Sequence, residues 1–190
     1  MLTTTTTTTS ATTGTKSPMS AEYYIRPATE ADVEAINGIV NHEIATSVSN
    51  FDYEPRPLDK AFAWYQSVVG NNYPIIVACK KDSEGCEVVG GYAALFPFRT
   101  KEGYKFTVEY SLYIHKDHRR KGLGRGLLTE LLVIGRAKGY HSVIGGISGG
   151  NVASTNLAEE FGFRYVGVFK EVGYKFGEYV DCTFMELILN

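Results

Sequence analysis

Cysteine is scarce in this chain. Three Cys occur in 190 residues, an odd and sparse set that excludes a disulfide-built scaffold. All three are expected to be reduced thiols in a cytoplasmic protein. Cys79 and Cys86 flank an expected hairpin but lack His or Cys companions at metal-ligand spacing, so no metal is expected. Excess charge of either sign is also lacking, with Lys+Arg 19 against Asp+Glu 21, a net charge of −2 and a pI near 6.1. No global positive field points to nucleic acid or to an anionic membrane. No run approaches the ~18 apolar residues of a membrane span. What remains is 44% hydrophobic, 13% aromatic and 21% charged residues, the balance of a globular protein of one domain.

The beginning differs from the rest. Ten of residues 1–15 are Thr, and no aromatic residue occurs through Met19. Such a stretch cannot bury enough apolar surface to offset its ordering entropy. It also lacks the apolar core of a secretory signal and the Arg of a mitochondrial presequence. Residues 1–20 are therefore expected to form a disordered Thr-rich tail, and residues 21–190 a single domain. Met19 directly precedes the patterned region and is read as a candidate second start site.

From Tyr23 the pattern is regular. Tyr23, Tyr24 and Ile25 predict a short strand, and Thr29 to Asp32 a helix N-cap with an acidic first turn. Val33, Ile36, Ile39 and Val40 follow at helical spacing, to about Ile44. Leu58, Phe62 and Tyr65 mark a second helix ending near Gly70. Strands are expected over 75–79, 88–96 (with a bulge at Gly90 and Gly91) and 106–114. A helix over 123–138 follows, then a strand over 143–147, a short helix over 151–161, and final strands over 165–172 and 179–189. Strands before and between helices predict one mixed α/β sheet.

The most informative stretch is His115-Lys116-Asp117-His118-Arg119-Arg120-Lys121-Gly122-Leu123-Gly124-Arg125-Gly126. A strand leads into basic residues, then glycines, then an apolar helix. Unpaired N–H groups and the dipole at a helix start bind anions, and glycine lets the backbone approach them. Arg120, Lys121 and Arg125 add positive charge. A phosphate or pyrophosphate is the expected ligand; a basic solvated turn before a core helix is the plain alternative. A P-loop is excluded because no Lys-Ser/Thr follows the glycines. A dinucleotide fingerprint would need its third Gly at Leu127 and would open the first βα unit.

What remains is Arg119-x-x-Gly122-x-Gly124. This resembles the pyrophosphate loop of the GCN5-related N-acetyltransferases (GNAT), which bind acetyl-CoA, and the element order matches theirs. Glu160-Phe161-Gly162-Phe163 resembles the family's closing x-x-Gly-Phe. The resemblance implies a single-domain GNAT fold: a mixed central sheet of about seven strands with helices on both faces. It implies that the strand before the loop splays from the next one to admit pantetheine. Backbone of Leu112, Tyr113 and Ile114 would then pair with pantetheine. Backbone N–H groups of Arg120, Lys121, Gly122, Leu123, Gly124 and Arg125 would hold the pyrophosphate, and Asn151 would touch the pantetheine end.

Residues 25–186 further resemble the phosphinothricin and methionine sulfoximine N-acetyltransferases. The matching stretches include Ile25-Arg26-Pro27-Ala28-Thr29, Ile39-Val40-Asn41-His42-Glu43-Ile44, Thr107-Val108-Glu109-Tyr110-Ser111 and Gly173-Tyr174-Lys175-Phe176-Gly177-Glu178-Tyr179-Val180-Asp181. Acyl transfer to an amine needs a base, because an amino-acid ammonium with a pKa near ~9–10 is mostly protonated at pH 7. A carboxylate within an interior strand needs a partner or a task. The resemblance makes Glu109 the general base, directly or through water; a structural carboxylate paired with a nearby Lys or Arg is the alternative. Glu109, Ser111 and Tyr113 share one face by alternation, and Tyr110 and Leu112 the other. Arg99 suits a carboxylate clamp, since its guanidinium can bind two oxygens at once. Arg99, Thr100 and Lys101 with Glu109, Tyr110 and Ser111 are the expected acceptor residues. Lys101 is equally read as a solvated loop charge, and Lys175 is a further candidate at the substrate mouth.

Departures from the pattern bear on chemistry. Ala158 stands where some relatives have His, so the leaving thiolate must take its proton from water or from Tyr110 or Tyr113, or leave unprotonated. Tyr110 stands where sulfoximine-type relatives often have His, and Tyr179 replaces a Trp. No Cys is expected near Glu109 or the loop, which favours direct attack in a ternary complex over an acetyl-cysteine route. His42 and His141 are expected in packing or surface roles, and His115 and His118 beside the loop. The resulting expectation is acetyl-CoA-dependent acetylation of the α-amino group of a small amino acid or analogue, by a homodimer whose Phe51-Asp52-Tyr53 loop could reach the subunit contact. A protein N-terminal or polyamine acetyltransferase and a non-catalytic CoA-binding domain are the alternatives.

Overall fold

The computed structural model describes residues 18–189. The Thr-rich stretch through residue 17, with most of the expected tail, lies outside the described residues. Residues 18–20 lie against the glycine loop: the Ser20 N–H donates to the Lys121 carbonyl at 3.0 Å.

Strand β1 (Tyr24–Pro27) leads through a short 3-10 turn (Glu30–Asp32) into α1 (Val33–Thr46). Asp32 sets that entry. Its carboxylate accepts from the Thr29 N–H at 2.7 Å and from the Arg26 guanidinium at 2.7 and 2.9 Å. Next come α2 (Leu58–Gly70), β2 (Ile75–Lys81) and β3 (Glu87–Pro97). β4 (Thr107–Ile114) precedes the glycine loop and α3 (Leu123–Ala137). β5 (Ser142–Ser148), α4 (Val152–Glu160), β6 (Arg164–Lys175) and β7 (Glu178–Ile188) complete the chain.

The seven strands form one sheet in the order β1-β2-β3-β4-β5-β7-β6. Every pairing is antiparallel except β4 with β5. Helices α1 and α2 cover one face, where Ile36, Val40, Ile44 and Val68 meet Ile75, Val77, Tyr92 and Ala94. Helix α3 covers the other with Leu123, Leu127, Leu128 and Leu131 against Ala93, Leu95, Val108 and Val143, joined by Ala158 of α4. Each such leucine contributes about 1.5–3 kcal/mol by leaving water.

The expected bulge sits at Gly90. Ala78 pairs with Gly91 but Cys79 pairs with Val89, so Gly90 is the extra residue. A Cβ there would come within 2.9 Å of the Tyr23 ring. The last hairpin departs from expectation. β6 continues to Lys175 instead of ending near residue 172, because Gly173, Tyr174 and Lys175 pair again with Val180, Tyr179 and Glu178 after an irregular stretch. The tight turn is made by Phe176 and Gly177, at φ 53° and 86°.

Candidate active site

The parallel pairing of β4 with β5 is short. Thr107, Val108 and Glu109 face Ser142, Val143 and Ile144, and there the pairing stops. Beyond Glu109 the two strands part, which leaves Leu112, Tyr113 and Ile114 unpaired on the β5 side. An open cleft of about 460 Å³ fills the gap. It runs from the end of α1, past Ser111 and Gly146, to Gly122, Gly124 and Asn151 at the starts of α3 and α4.

The glycine loop is shaped for close backbone approach. Arg120 and Gly122 both have positive φ, 61° and 74°. The first hydrogen bond of α3 runs from the Gly126 N–H to the Gly122 carbonyl. The N–H groups of Leu123 and Gly124 precede it and have no intrahelical acceptor, an arrangement that favours an anion. A Cβ on Gly122 would lie 2.7 Å from both the Met19 Cα and the Pro18 carbonyl. Two cations read from the sequence as loop charges point elsewhere. Lys121 lies 3.6 Å from Glu22 and over the Tyr23 ring, and Arg125 pairs with Glu160 at 2.6 Å. Arg119 and Arg120 line the cleft. Asn151 caps α4, its Oδ1 accepting from the Ser154 N–H at 3.1 Å.

Glu109 is half-buried beside the cleft, behind Gly146 rather than in its lining. A Cβ on Gly146 would meet its Oε1 at 3.0 Å. Burial pushes its carboxyl pKa up, and the charge of Arg99 opposes this. Arg99 is exposed; its guanidinium lies over the Phe98 ring at 4.1 Å and donates to the Phe98 carbonyl at 2.8 Å. Thr100 and Lys101 are exposed beside it. Ser111 and Tyr113 lie on the Glu109 face, and the Tyr113 hydroxyl donates to the Ser49 carbonyl at 3.1 Å.

Tyr110, grouped from sequence with the acceptor residues, lies on the opposite face. Its ring packs on Phe163 with centroids 5.5 Å apart and also lines the cleft. Burial pushes its pKa up to about 12. Ala158 is fully buried in the core. One expectation is corrected: Cys182 does lie near Glu109. The Gly146 Cβ position is 3.8 Å from its Sγ, because β7 brings Cys182 beside β5. Burial and the neighbouring Glu109 raise the pKa of this thiol, which disfavours the thiolate that a covalent route requires. Lys175 also departs from expectation: it is buried, at 2% exposure, rather than facing an open mouth.

Sequence reasoning missed Glu43. It is 7% exposed, lines the cleft, pairs with Arg119 and accepts from the Ser47 hydroxyl at 2.8 Å. Its signal was readable: Glu43 follows Ile39 by four and Val40 by three, so a carboxylate stands on the apolar stripe of α1. The site role of residues 47–50 had no local signal, since only the folded chain brings them over β4. Among the described residues, no group of His, Cys, Asp or Glu is arranged to hold a metal, and no helix is long and apolar enough to cross a membrane.

Residues 40–163 match the Acetyltransferase (GNAT) family. The chain belongs to that family. It is 38% identical over 166 residues to an L-methionine sulfoximine/L-methionine sulfone acetyltransferase of Salmonella typhimurium, covering 87% of this chain and 94% of that one. It is 37% identical over 172 residues to a phosphinothricin N-acetyltransferase of Streptomyces viridochromogenes, covering 90% of each. Among solved structures, an acetyltransferase from Salmonella typhimurium with its cofactor acetyl-CoA superposes with a TM-score of 0.83 at 36% identity, covering 90% of this chain and 95% of that one. The chain is accordingly an N-acetyltransferase, with a seven-stranded GNAT sheet.

Proposed function

We propose that this enzyme transfers the acetyl group of acetyl-CoA to the α-amino group of a small amino acid or analogue, by direct attack within a ternary complex. One observation carries the reading. The β4–β5 pairing ends at Glu109, and its carboxylate lies directly behind Gly146, which lines the cleft that opens beyond that point. The chemistry of the relatives' named substrates, amino acids with a second polar head, agrees with an Arg beside that carboxylate.

In this reading the N–H groups at the start of α3, with Arg119 and Arg120, hold the pyrophosphate. Exposed backbone of Leu112, Tyr113 and Ile114 pairs with the pantetheine arm, and Asn151 supports its end. Acetyl-CoA supplies an acetyl thioester. Glu109 takes the proton of the attacking amine, directly or through water, as the N–C bond forms and the C–S bond breaks. Burial raises the proton affinity of Glu109 toward that task. Arg99 clamps the acceptor carboxylate, with Thr100, Lys101 and Ser111 around it. Tyr110 or solvent protonates the leaving thiolate, since Ala158 has no proton to give.

The active form in this reading is a homodimer. The β6–β7 hairpin at the sheet edge exposes Phe169, Tyr174, Phe176 and Tyr179, next to Phe51 and Tyr53 of the loop after α1. A patch of this kind on an edge strand favours a second copy. Light scattering behind gel filtration tests this part, and a 21 kDa species at micromolar concentration removes it.

Free-thiol release from acetyl-CoA, measured across a panel, tests the activity. The panel holds methionine sulfoximine, methionine sulfone, phosphinothricin, spermidine and a Ser-initiated peptide, each with wild type and Glu109→Gln. Turnover confined to the amino acids and lost in the variant supports the reading. Turnover on spermidine or the peptide overturns the acceptor assignment. CoA binding without any turnover overturns the catalytic one.

A further inference from the structure

We infer that Lys175 is a positioning residue for the acceptor. Its buried ammonium fixes the loop of residues 47–53 against the β6–β7 hairpin, and the wall so formed holds the amino acid opposite Glu109. This rests on the acceptor reading given above.

The bonding of Lys175 is unusual for a lysine. The side chain is among the largest fully withdrawn from solvent. Its Nζ donates to the carbonyls of Ile44, Ser47 and Asn50, at 2.7, 3.0 and 2.6 Å. Three donors meet three acceptors, so the ammonium is satisfied by backbone alone. The Ile44 carbonyl belongs to the last turn of α1, where carbonyls lack helical partners and a cation is favoured. The other two belong to the chain just beyond the helix. One ammonium therefore gathers backbone that would otherwise diverge. A buried charge imposes such geometry strictly, because any acceptor that moves away leaves it unsolvated.

The gathered loop bears on the site. The Ser49 carbonyl accepts from Tyr113, two positions past Ser111 on the face of Glu109. The Val48 carbonyl accepts from Ser148 at 2.6 Å, at the end of the strand that parts from β4. Ser47 holds Glu43, which holds Arg119 of the glycine loop. Ser47 and Ser49 line the cleft. On the outer side, the Tyr53 hydroxyl donates to the Tyr174 carbonyl at 2.6 Å, and the Phe51 ring fills the space over Gly173 that a Cβ would need. The loop thus spans from hairpin to cleft, and Lys175 is the bond at its centre. At the phosphate end, the backbone of Gly122 and Gly124 makes no bond to Lys175, and only the Arg119 side chain is linked to it, through Glu43 and Ser47.

Lys175→Met keeps the apolar stem and removes the donors. In the full chain, its KM for methionine sulfone, or for whichever amino acid wild type acetylates fastest, is expected to rise by about 10- to 100-fold, the scale of an ~1 Å misplacement. KM for acetyl-CoA should stay within about twofold, and amide exchange over residues 47–53 should accelerate. Gly173→Ala pushes Phe51 from the same loop while sparing Lys175, and should act in the same direction if Lys175→Met does not fold. An unchanged acceptor KM in the folded Lys175→Met protein, or in Gly173→Ala where the former does not fold, overturns the inference. So does an equal rise in both KM values. Wild type inactive on every amino acid overturns the acceptor reading, and this inference with it, a result read on wild type alone.

Discussion

Replacing Glu109 by Gln separates a catalytic carboxylate from a structural one. Gln matches Glu in size, so the substitution opens no cavity and leaves Gly146 and its surroundings in place. Among the described residues, the Glu109 carboxylate accepts no protein hydrogen bond; the charge of Arg99 is its one stabilising influence, and burial outweighs it. The carboxyl pKa is therefore higher in the folded chain than in the unfolded one. A group of this kind favours the fold most below its unfolded pKa, near ~4.3, and that contribution is lost as pH rises through the higher folded value. At pH 8 the wild type carries a partly desolvated charge that the Gln variant lacks. The variant should melt at the same temperature as wild type or above it, with the gap closing toward pH 4. Activity should move the other way. Loss of a general base costs about 10²–10⁴ in kcat, or about 2.7–5.5 kcal/mol of barrier at ~1.36 kcal/mol per decade. The acid limb of the wild-type kcat/KM profile should lie above the ordinary carboxylate range and vanish in the variant. The assays are free-thiol release from pH 5 to 9 and differential scanning fluorimetry from pH 4 to 9. A variant that keeps more than about a third of wild-type kcat, or one that loses stability at pH 8, would refute the assignment of Glu109 as base.

Three further substitutions probe the other parts. Arg99→Ala should raise the acceptor KM by about 10- to 150-fold, the worth of ~1.5–3 kcal/mol for bonds to a charged group, while KM for acetyl-CoA stays constant in steady-state kinetics; equal effects on both substrates would contradict the clamp. Gly122→Ala should weaken CoA binding at least ~10-fold by calorimetry: left-handed backbone at φ 74° costs about 1–2 kcal/mol with a side chain, and the new Cβ strikes backbone of Met19 and Pro18. Unchanged CoA affinity would show that this backbone does not need to approach the ligand. Asn151→Ala removes the cap of α4 and should cost about 1 kcal/mol, a melting shift of about 2–4 °C for a chain of this size; a wild-type melting curve would contradict the capping role.

Much of this molecule is legible in its local pattern. Val33, Ile36 and Val40 announce a helix by their spacing, and Gly90 announces a bulge within a run of strand formers. Arg119 to Gly124, between a strand and an apolar helix, announce a glycine loop with free N–H groups at a helix start, because those groups need only local chain geometry. Glu109 was legible as a carboxylate out of place in an interior strand. Other features have no local cause. Lys121 and Arg125 read as loop charges, but their side chains reach Glu22 and Glu160, carboxylates supplied by distant segments. Cys182 comes beside Glu109 only because β7 inserts between β5 and β6. Lys175 could not be read as buried from a hairpin whose neighbouring residues are mostly exposed. It is buried because the chain at and after the end of α1 presents it with three carbonyls, of Ile44, Ser47 and Asn50. Residue type and spacing determined which groups could bind an anion or move a proton. Tertiary structure decided which charges neutralise one another and which loop borders the cleft, because those depend on distances that sequence separation does not set.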